Sequence, residues 1–228
     1  MVEKKASILT YYFTNGGYHD YLKRYLDIVF AIILLIIFSP VFLIVAIAIK
    51  LDSPGPIFAD VPERVGENGK LFKMYKFRSM IVNAHFLLRN DSEFKKLYEE
   101  YKLGSFKLRN DPRITRIGKF IRKHSLDEIP QFLNMLKGDM SLVGPRAYYQ
   151  DELENQQEKY PETKSLVKEV LSVKPGITGL WQVTGRSDIN FDKRVAIDAK
   201  YVHNISLLQD LIIILKTPGA MLTGKGAV

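Results

Sequence analysis

The hydrophobic residues of this chain are concentrated in one segment near its start. Ile28–Ile49 is almost wholly apolar and is interrupted only by Ser39 and Pro40. A run of about 18 or more apolar residues is long enough for a membrane helix. No small-residue cleavage site follows the run, as a secretory signal would require. The pattern therefore predicts a retained membrane anchor, which we place at residues 21–51.

The centre of the anchor decides between two paths through a bilayer. Ser39 and Pro40 leave about eleven residues on each side, and at ~1.5 Å per residue each arm covers about half of a ~30 Å hydrocarbon core. Pro40 also removes the helical partner of the Ile36 carbonyl, which the Ser39 hydroxyl can replace while stabilising a bend. Cationic residues flank both ends, so charge selects no orientation for a span. We favour a re-entrant helix–break–helix, with a single transmembrane helix as the alternative.

Outside the anchor, the pattern predicts a mainly helical α+β protein. Residues 1–20 form a polar and aromatic N-terminal arm, and residues 52–228 form the body of the protein. Short β-like stretches on either side of a Glu67–Lys70 turn predict a small β-hairpin. The other predicted segments are helices at 83–103, 114–137 (with a break near Pro130) and 205–216, a solvated helix or flap at 151–168, and a glycine-rich loop at 174–186.

The charge of the chain implies an anionic partner. The net charge is +8, and such an excess suits acidic lipid, a phosphorylated substrate or nucleic acid. The anchor favours the first two partners, and the sequence contains no recognisable nucleic-acid-binding motif. Because the chain has no cysteine, disulfides, thiolate metal sites and cysteine catalysis are excluded.

A basic helix is predicted before the most polar motif. Apolar residues recur at helical spacing over 114–121, and the wider stretch from Lys107 to Lys123 contains seven cations and one acid, Asp111. The cations are Lys107, Arg109, Arg113, Arg116, Lys119, Arg122 and Lys123. A basic amphipathic helix suits a lipid headgroup layer or substrate phosphate. Packing of its isoleucines on a protein core is compatible with either role.

The motif that follows contains two adjacent carboxylates, Asp127 and Glu128. One interpretation is structural: Ser125 caps a helix that has both acids in its first turn. The other is phosphoryl transfer, because Arg122 precedes the pair and Arg146 follows on a constrained Gly-Pro turn. Phosphoryl transfer needs cations on the phosphate oxygens and a divalent metal such as Mg²⁺, which one or two carboxylates can hold. A carboxylate can also be the nucleophile.

Taken in order, the motifs of the chain resemble those of the bacterial sugar transferase family, the monotopic phosphoglycosyl transferases. The resemblance extends over Lys23–Val228. It rests on Lys23-Arg24-Tyr25-Leu26-Asp27, Ser39-Pro40, Tyr75-Lys76-Phe77-Arg78-Ser79-Met80, Ser125-Leu126-Asp127-Glu128-Ile129-Pro130-Gln131, Leu136–Arg146 and Lys174–Val183. Each motif alone is weakly specific, whereas the six in this order are highly specific.

The resemblance implies an enzyme of the bacterial inner membrane whose catalytic body, with amphipathic interfacial helices, lies on the cytoplasmic face. It implies that Asp127 attacks the β-phosphate of a UDP-sugar and expels UMP, and that undecaprenyl phosphate then accepts the sugar-1-phosphate. It also implies that Glu128 binds Mg²⁺. The residues expected to bind phosphate or substrate are Arg122, Arg146, Lys76, Arg78 and Arg186.

Smaller features narrow the expected function. Gly185–Asp188 and Gly224–Val228 resemble the hexose-1-phosphate branch of the family, so galactose or glucose is the first expectation, in a minimal form without further N-terminal spans. Pro62 and Ala147 depart from the family pattern, where glutamine and proline are common.

The expected product initiates the synthesis of exopolysaccharide, capsule or another surface glycan. Membrane lipid is a further expected partner, nucleic acid is not, and a homodimer is a candidate assembly. A non-catalytic module that binds anionic lipid or a partner protein is the alternative function.

Overall fold

The structure, a computed structural model, describes residues 18–103, 108, 110–184 and 189–222. In this part of the chain the protein is mainly helical with five short strands, which confirms the predicted fold class at that level. One helix, α1 (Lys23–Asp52), is long and apolar enough to cross a membrane by length and composition. Most of the predicted N-terminal arm lies outside the described residues.

The remaining elements form a body that packs against one face of α1. Its helices are α2 (Ala84–Asn90), α3 (Lys95–Leu103), α4 (Arg116–Lys123), α5 (Gln131–Lys137), α6 (Gln150–Lys159), α7 (Lys164–Val170), α8 (Leu180–Thr184), α9 (Phe191–His203) and α10 (Leu207–Leu222). Its strands are β1 (Arg64–Val65), β2 (Leu71–Phe72), β3 (Ser141–Val143), β4 (Tyr148–Tyr149) and β5 (Gly176–Thr178). Strand β1 pairs antiparallel with β2 and β4, and β3 pairs parallel with β5.

Helix α1 keeps a helical backbone through Pro40. The Ser39 hydroxyl donates to the Ile36 carbonyl at 2.8 Å, which confirms the predicted replacement for the missing proline N–H. The helical backbone therefore continues through Ser39 and Pro40, the position at which the sequence predicted a break. The physical reason is that the hydroxyl satisfies the one carbonyl whose exposure would have favoured an interruption.

The start of α1 is fastened to the body by a buried polar cluster. Lys23 forms an ion pair with Asp210 of α10. Asp210 also accepts hydrogen bonds from the hydroxyls of Tyr18, at 2.6 Å, and Tyr201, at 2.7 Å. A buried ion pair of this kind resists the loss of either partner, because the remaining charge would stay in a poorly solvated site.

Further contacts join α1 to the body along its whole length. The Arg24 guanidinium donates to the carbonyls of Met135 and Leu136 at the end of α5, at 2.5 and 2.9 Å. At the other end, the Asp52 carboxylate accepts from the Ile117 N–H of α4 at 3.3 Å. Between these ends, α1 contributes Ala31, Val45, Ala46 and Ile49 to a core that it shares with Phe77, Ile121, Phe132 and Met135.

The predicted hairpin is confirmed and gains a third strand. Strands β1 and β2 are joined by a short 3₁₀ turn, Glu67–Gly69, in which Asn68 and Gly69 have φ of 56° and 77°. Asparagine and glycine tolerate this left-handed region better than other residues. On its other side β1 pairs with β4, so that Arg64 lies opposite Tyr149.

Three predicted segments differ from the structure. The helix predicted at 83–103 is interrupted at Asp91, whose carboxylate caps a new turn by accepting from the Glu93 N–H. The stretch 151–168 is not a solvated helix, because Glu152 and Gln156 are buried. The predicted loop at 174–186 contains β5 and α8. A Cβ on Gly176 would lie 2.0 Å from the Gly144 nitrogen, so glycine here permits close strand pairing rather than a loop.

We expect Asp210→Ala to destabilise the fold, because it removes the counter-charge of buried Lys23 and the acceptor of two tyrosine hydroxyls. The loss should be about 3–5 kcal/mol. Thermal unfolding of detergent-held protein measures it, with Glu99→Ala on the exposed face of α3 as the control for losing one carboxylate. Equal unfolding temperatures for the two variants would contradict the role assigned to Asp210.

Candidate active site

The two carboxylates lie on a tight turn that follows the basic helix. Helix α4 ends at Lys123, and Ser125 then adopts a left-handed conformation with φ of 54°. A single 3₁₀ turn, Leu126–Glu128, follows and presents Asp127 and Glu128. Ser125 occupies the N-cap position of this turn, as the structural interpretation expected, but its side chain makes no capping bond. Its backbone instead reverses the chain, and the expected break falls at Ser125 as well as near Pro130.

Lys76 is held against both carboxylates. Its ammonium group lies 2.8 Å from Glu128 Oε1 and 3.6 Å from Asp127 Oδ2. The backbone fixes this approach, because the Phe77 N–H donates to the Asp127 carbonyl at 3.0 Å. The buried Asn134 side chain adds two bonds to the same segment, accepting from the Tyr75 N–H and donating to the Lys73 carbonyl.

The two carboxylates have different electrostatic environments. Burial raises the pKa of Asp127, an effect that Lys76 partly offsets and the neighbouring Glu128 reinforces. Burial would also raise the pKa of Glu128, but Lys76 outweighs it, with help from Arg146 and Arg64, and holds the pKa of that carboxyl below its usual value. Glu128 is therefore the more firmly ionised member of the pair, and Asp127 is the more basic one.

The acid pair lines a cavity of about 680 Å³. One part of the wall is charged and includes Lys76, Arg122, Asp127, Glu128 and Arg146. Another part is apolar and includes Phe30, Leu34 and Phe38 from α1 and Ile214 from α10. The cavity thus brings phosphate-binding chemistry and a membrane-type helix to the same space.

Arg146 is supported by a buried charged network. Its Nε lies 3.9 Å from Glu152 Oε1, and its guanidinium lies 5.3 Å from the centre of the Trp181 ring. The fully buried Glu152 also lies 3.7 Å from Arg194. Asp198, which is 0% exposed, accepts from the Arg146 backbone N–H at 3.2 Å. These contacts fix the turn that presents Arg146 to the cavity.

Two predicted cations line the cavity but are engaged by other groups of the protein. The Arg78 guanidinium donates to the Pro56 carbonyl and to the hydroxyl and carbonyl of Ser53. It therefore stabilises the turn after α1, which argues against its predicted phosphate contact. Arg113 is buried in an ion pair with Asp111, so this member of the predicted basic helix does not face phosphate. Arg186 lies outside the described residues.

Helix α4 brings Arg122 to the cavity through close backbone packing. A Cβ on Gly118 would lie 1.9 Å from the Ser79 carbonyl oxygen, so only glycine allows this approach. The Thr115 N–H donates to the same carbonyl at 3.1 Å, and the Thr115 hydroxyl caps the helix at Gly118. Helix α4 and the segment that contains Ser79 are thereby held together by backbone contacts.

The sequence model of the bacterial sugar transferase family matches residues 18–224. The chain belongs to this family. An uncharacterized sugar transferase of Haemophilus influenzae is 48% identical over 210 residues, and the undecaprenyl-phosphate galactose phosphotransferase of Salmonella typhimurium is 46% identical over 211 residues. The exopolysaccharide production protein ExoY of Sinorhizobium fredii is 44% identical over 209 residues.

The relatives of this chain differ in length. Each alignment covers 90% or 91% of the chain. The chain spans less than half of the first two relatives, 42% of each, but 87% of the third. The shared region contains the acid pair, Lys76, Arg122 and Arg146.

The two departures from the family pattern lie at the β1 end of the cavity. Ala147 is buried, and its carbonyl accepts from Arg64 at 3.0 Å. The turn without proline is thus held by a side chain from β1. Pro62 precedes β1 and is partly exposed. Neither residue contacts the acid pair.

The residues of the cavity fit a magnesium ion that takes some of its ligands from a substrate. Within the described ranges no three His, Asp or Glu side chains are grouped as a metal cage. The Glu128 side chain is 38% exposed and is held in its ionised form. One ionised carboxylate on a cavity wall suits Mg²⁺, which commonly completes its ligands with substrate phosphates and water.

Three important residues escaped the sequence analysis: Glu152, Arg194 and Asp198. A signal was present, because Arg194 and Asp198 recur at i and i+4 on the same face of α9 as Phe191 and Val195. Charged residues on the apolar face of a helix indicate a buried polar network.

Asp198 should make the stability of the fold depend on pH. Burial raises its pKa to about 7, although Arg146, Tyr148 and Arg194 oppose the shift. An unfolded aspartate has a pKa of about 3.9, so between these values the folded state holds a proton that the unfolded state has lost. Rising pH should therefore destabilise the protein by up to about 1.4 kcal/mol per pH unit.

Asp198→Asn is expected to remove this dependence while keeping an acceptor for the Arg146 N–H. Unfolding temperatures measured between pH 5 and pH 8 should converge in the variant. Asp192→Asn, on the first turn of the same helix, is the control and should retain the wild-type slope. An unchanged slope in Asp198→Asn would show that Asp198 is ionised throughout.

Proposed function

We propose that the protein is a phosphoglycosyl transferase that moves a hexose-1-phosphate from a UDP-sugar to undecaprenyl phosphate. The observation that carries the proposal is the Asp127–Glu128 pair, bound to Lys76 in a cavity that α1 also lines. Galactose or glucose is the proposed sugar. The galactose phosphotransferase of Salmonella typhimurium, at 46% identity, supports this choice.

The reaction proceeds in two displacements at one phosphorus atom. In the first, an Asp127 oxygen attacks the β-phosphorus of the UDP-sugar, the bond to the bridging oxygen breaks, and UMP leaves with the electron pair. In the second, a phosphate oxygen of the polyprenyl acceptor attacks the same phosphorus, and the Asp127 carboxylate is released. Both steps balance without an external base, because each attacking oxygen is already anionic.

The environment of Asp127 suits this role. A carboxylate with a raised pKa is a stronger nucleophile than an ordinary one, and Lys76 keeps it close to a cation that favours its ionised form. Arg122 and Arg146 would bind the non-bridging phosphate oxygens, which carry the charge during transfer. Mg²⁺ held by Glu128 would supply further neutralisation of the diphosphate.

The shape of the cavity accounts for the two very different substrates. The charged part suits the diphosphate of a water-soluble nucleotide-sugar, whereas Phe30, Leu34 and Phe38 offer an apolar surface to a polyprenyl chain. Since these phenylalanines and leucine belong to α1, an acceptor that lies in the membrane reaches the acid pair along the anchor itself. A membrane-bound lipid sensor would need no such charged recess.

The contacts of α1 support a monotopic arrangement at the bacterial inner membrane. Arg24, Phe38, Phe42 and Asp52 all contact the body, so the helix cannot cross the bilayer without drawing the body into it. The opposite face exposes Ile32, Ile33, Ile36, Ile37, Leu43, Ile44, Ile47 and Leu51. One face on the body and one in lipid fits re-entry from the cytoplasmic side.

The enzymatic proposal predicts UMP release that depends on Asp127. Detergent- or nanodisc-held protein, given UDP-galactose or UDP-glucose with Mg²⁺ and undecaprenyl phosphate, should release UMP. Asp127→Asn should lower the rate roughly a thousandfold or more, as expected for loss of a nucleophile, whereas Glu100→Gln on α3 should be unaffected.

With the acceptor omitted, mass spectrometry should find the sugar phosphate on Asp127. Absence of UMP from folded protein with every UDP-hexose would instead favour the alternative of a lipid- or partner-binding module. A label on another residue would contradict the assignment of the nucleophile.

The monotopic proposal predicts that both ends of α1 are on one side of the membrane. The chain has no cysteine, so Tyr21→Cys and Asp60→Cys each introduce a single reactive thiol. Both thiols should resist an impermeant reagent in intact cells and react after lysis. Labelling of only one of the two in intact cells would establish a single transmembrane span.

A further inference from the structure

Arg64 is a buried cation on the wall of the cavity, and within the described residues it forms no direct ion pair. It is 7% exposed and lines the cavity beside the acid pair. Its guanidinium donates to the Ala147 carbonyl at 3.0 Å and lies 3.2 Å from the centre of the Tyr149 ring. Within the described ranges no carboxylate forms an ion pair with it, and its Nε has no hydrogen-bond partner.

Among the described residues, three other buried cations are paired with carboxylates, whereas all three donor atoms of the buried Arg78 guanidinium are bound by oxygens of the Ser53–Pro56 turn. Lys23 is paired with Asp210, Arg113 with Asp111, and Arg194 with Glu152. An unpaired guanidinium in a poorly solvated site is costly. Because Arg64 borders a cavity rather than the closed core, an anionic ligand can provide the missing charge. Guanidinium groups bind phosphate through two parallel hydrogen bonds, which makes phosphate the matching anion.

The neighbours of Arg64 indicate which phosphate. Tyr149 packs on the guanidinium, and His85 packs on Tyr149 with ring centres 6.0 Å apart. Burial and the nearby Arg113 and Arg64 lower the pKa of His85 to about 4, so the imidazole is neutral. A neutral, aromatic and polar surrounding suits a nucleoside, whereas a polyprenyl chain needs the apolar wall contributed by α1.

We propose that Arg64 binds the α-phosphate of the UDP-sugar, which leaves as UMP when Asp127 attacks. This inference rests on the proposed transferase function and assigns one subsite of it. As the bond between the β-phosphorus and the bridging oxygen breaks, the electron pair and its negative charge pass to the UMP phosphate. Arg64 stabilises that charge and, by the same contact, holds UMP in place for the reverse reaction.

The test compares Arg64→Met with Lys70→Met, which removes one exposed lysine from the same hairpin outside the cavity. UMP binding is measured by titration calorimetry on nanodisc-held protein. Arg64→Met should weaken UMP binding roughly ten- to a hundredfold, the usual effect of losing a charged hydrogen-bond partner. Lys70→Met should bind UMP as the wild type does. Should Arg64→Met fail to fold, Arg64→Gln keeps a donor for the Ala147 carbonyl and gives the same comparison.

Single-turnover kinetics separate the two phosphates. Arg64→Met should slow the first displacement, in which UMP is cleaved from the UDP-sugar. It should leave unchanged the transfer of a preformed aspartyl phosphosugar to undecaprenyl phosphate. A loss confined to the second transfer would assign Arg64 to the acceptor and overturn the inference. The inference would also be overturned if the Arg64 variants bound UMP as tightly as the wild type while the wild type turned over the UDP-sugar. A wild type that binds UMP but releases none from any UDP-sugar would contradict the transferase function instead.

Discussion

Two carboxylates share one ammonium group at the cavity wall, and the rest of the site is built to hold that arrangement. Lys76 reaches Asp127 and Glu128 because hydrogen bonds fix the backbone on either side of it. The Phe77 N–H after it donates to the Asp127 carbonyl, and the Asn134 side chain bonds the backbone of Lys73 and Tyr75 before it. Without the cation, burial and the repulsion between two ionised carboxylates would both raise the pKa of the pair. The cation separates their roles, with one acid firmly ionised and the other more basic.

A second layer of charge governs the orientation of Arg146. Glu152, Arg194 and Asp198 are buried behind the turn that presents Arg146. Several of their buried polar atoms have no hydrogen-bond partner among the described residues, so the network depends on charge more than on hydrogen bonds. Such networks are rarely the most stable way to fill a core. Their presence beside the cavity is consistent with a requirement for orientation, since a phosphate ligand must be held in one geometry throughout transfer.

The sequence was most informative for features that depend on residues close together in the chain. The anchor, the hairpin turn at Asn68-Gly69, the Ser39 hydrogen bond and the family itself followed from pattern. The acid pair could be placed beside Arg122 and Arg146, because these lie in short motifs. Lys76, 51 positions before Asp127 by sequence number, meets the pair only through tertiary pairing, and Arg78 from the same motif turns to the Ser53–Pro56 turn instead. The prediction of a solvated helix or flap at 151–168 missed the buried Glu152, because the other acids of α6 are exposed or partly exposed and give the segment a polar sequence.

Helix α1 has the length and composition of a membrane helix, and the same helix forms one wall of the cavity, here called the chamber. Phe30, Leu34 and Phe38 line the chamber, and Phe132 and Met135 of α5 are buried beneath the same helix. A water-soluble version obtained by deleting the first 52 residues would therefore expose an apolar face of α5 and open the chamber on one side. Removing α1 would therefore change the chamber itself, and the remaining body would not keep the site described for the full chain.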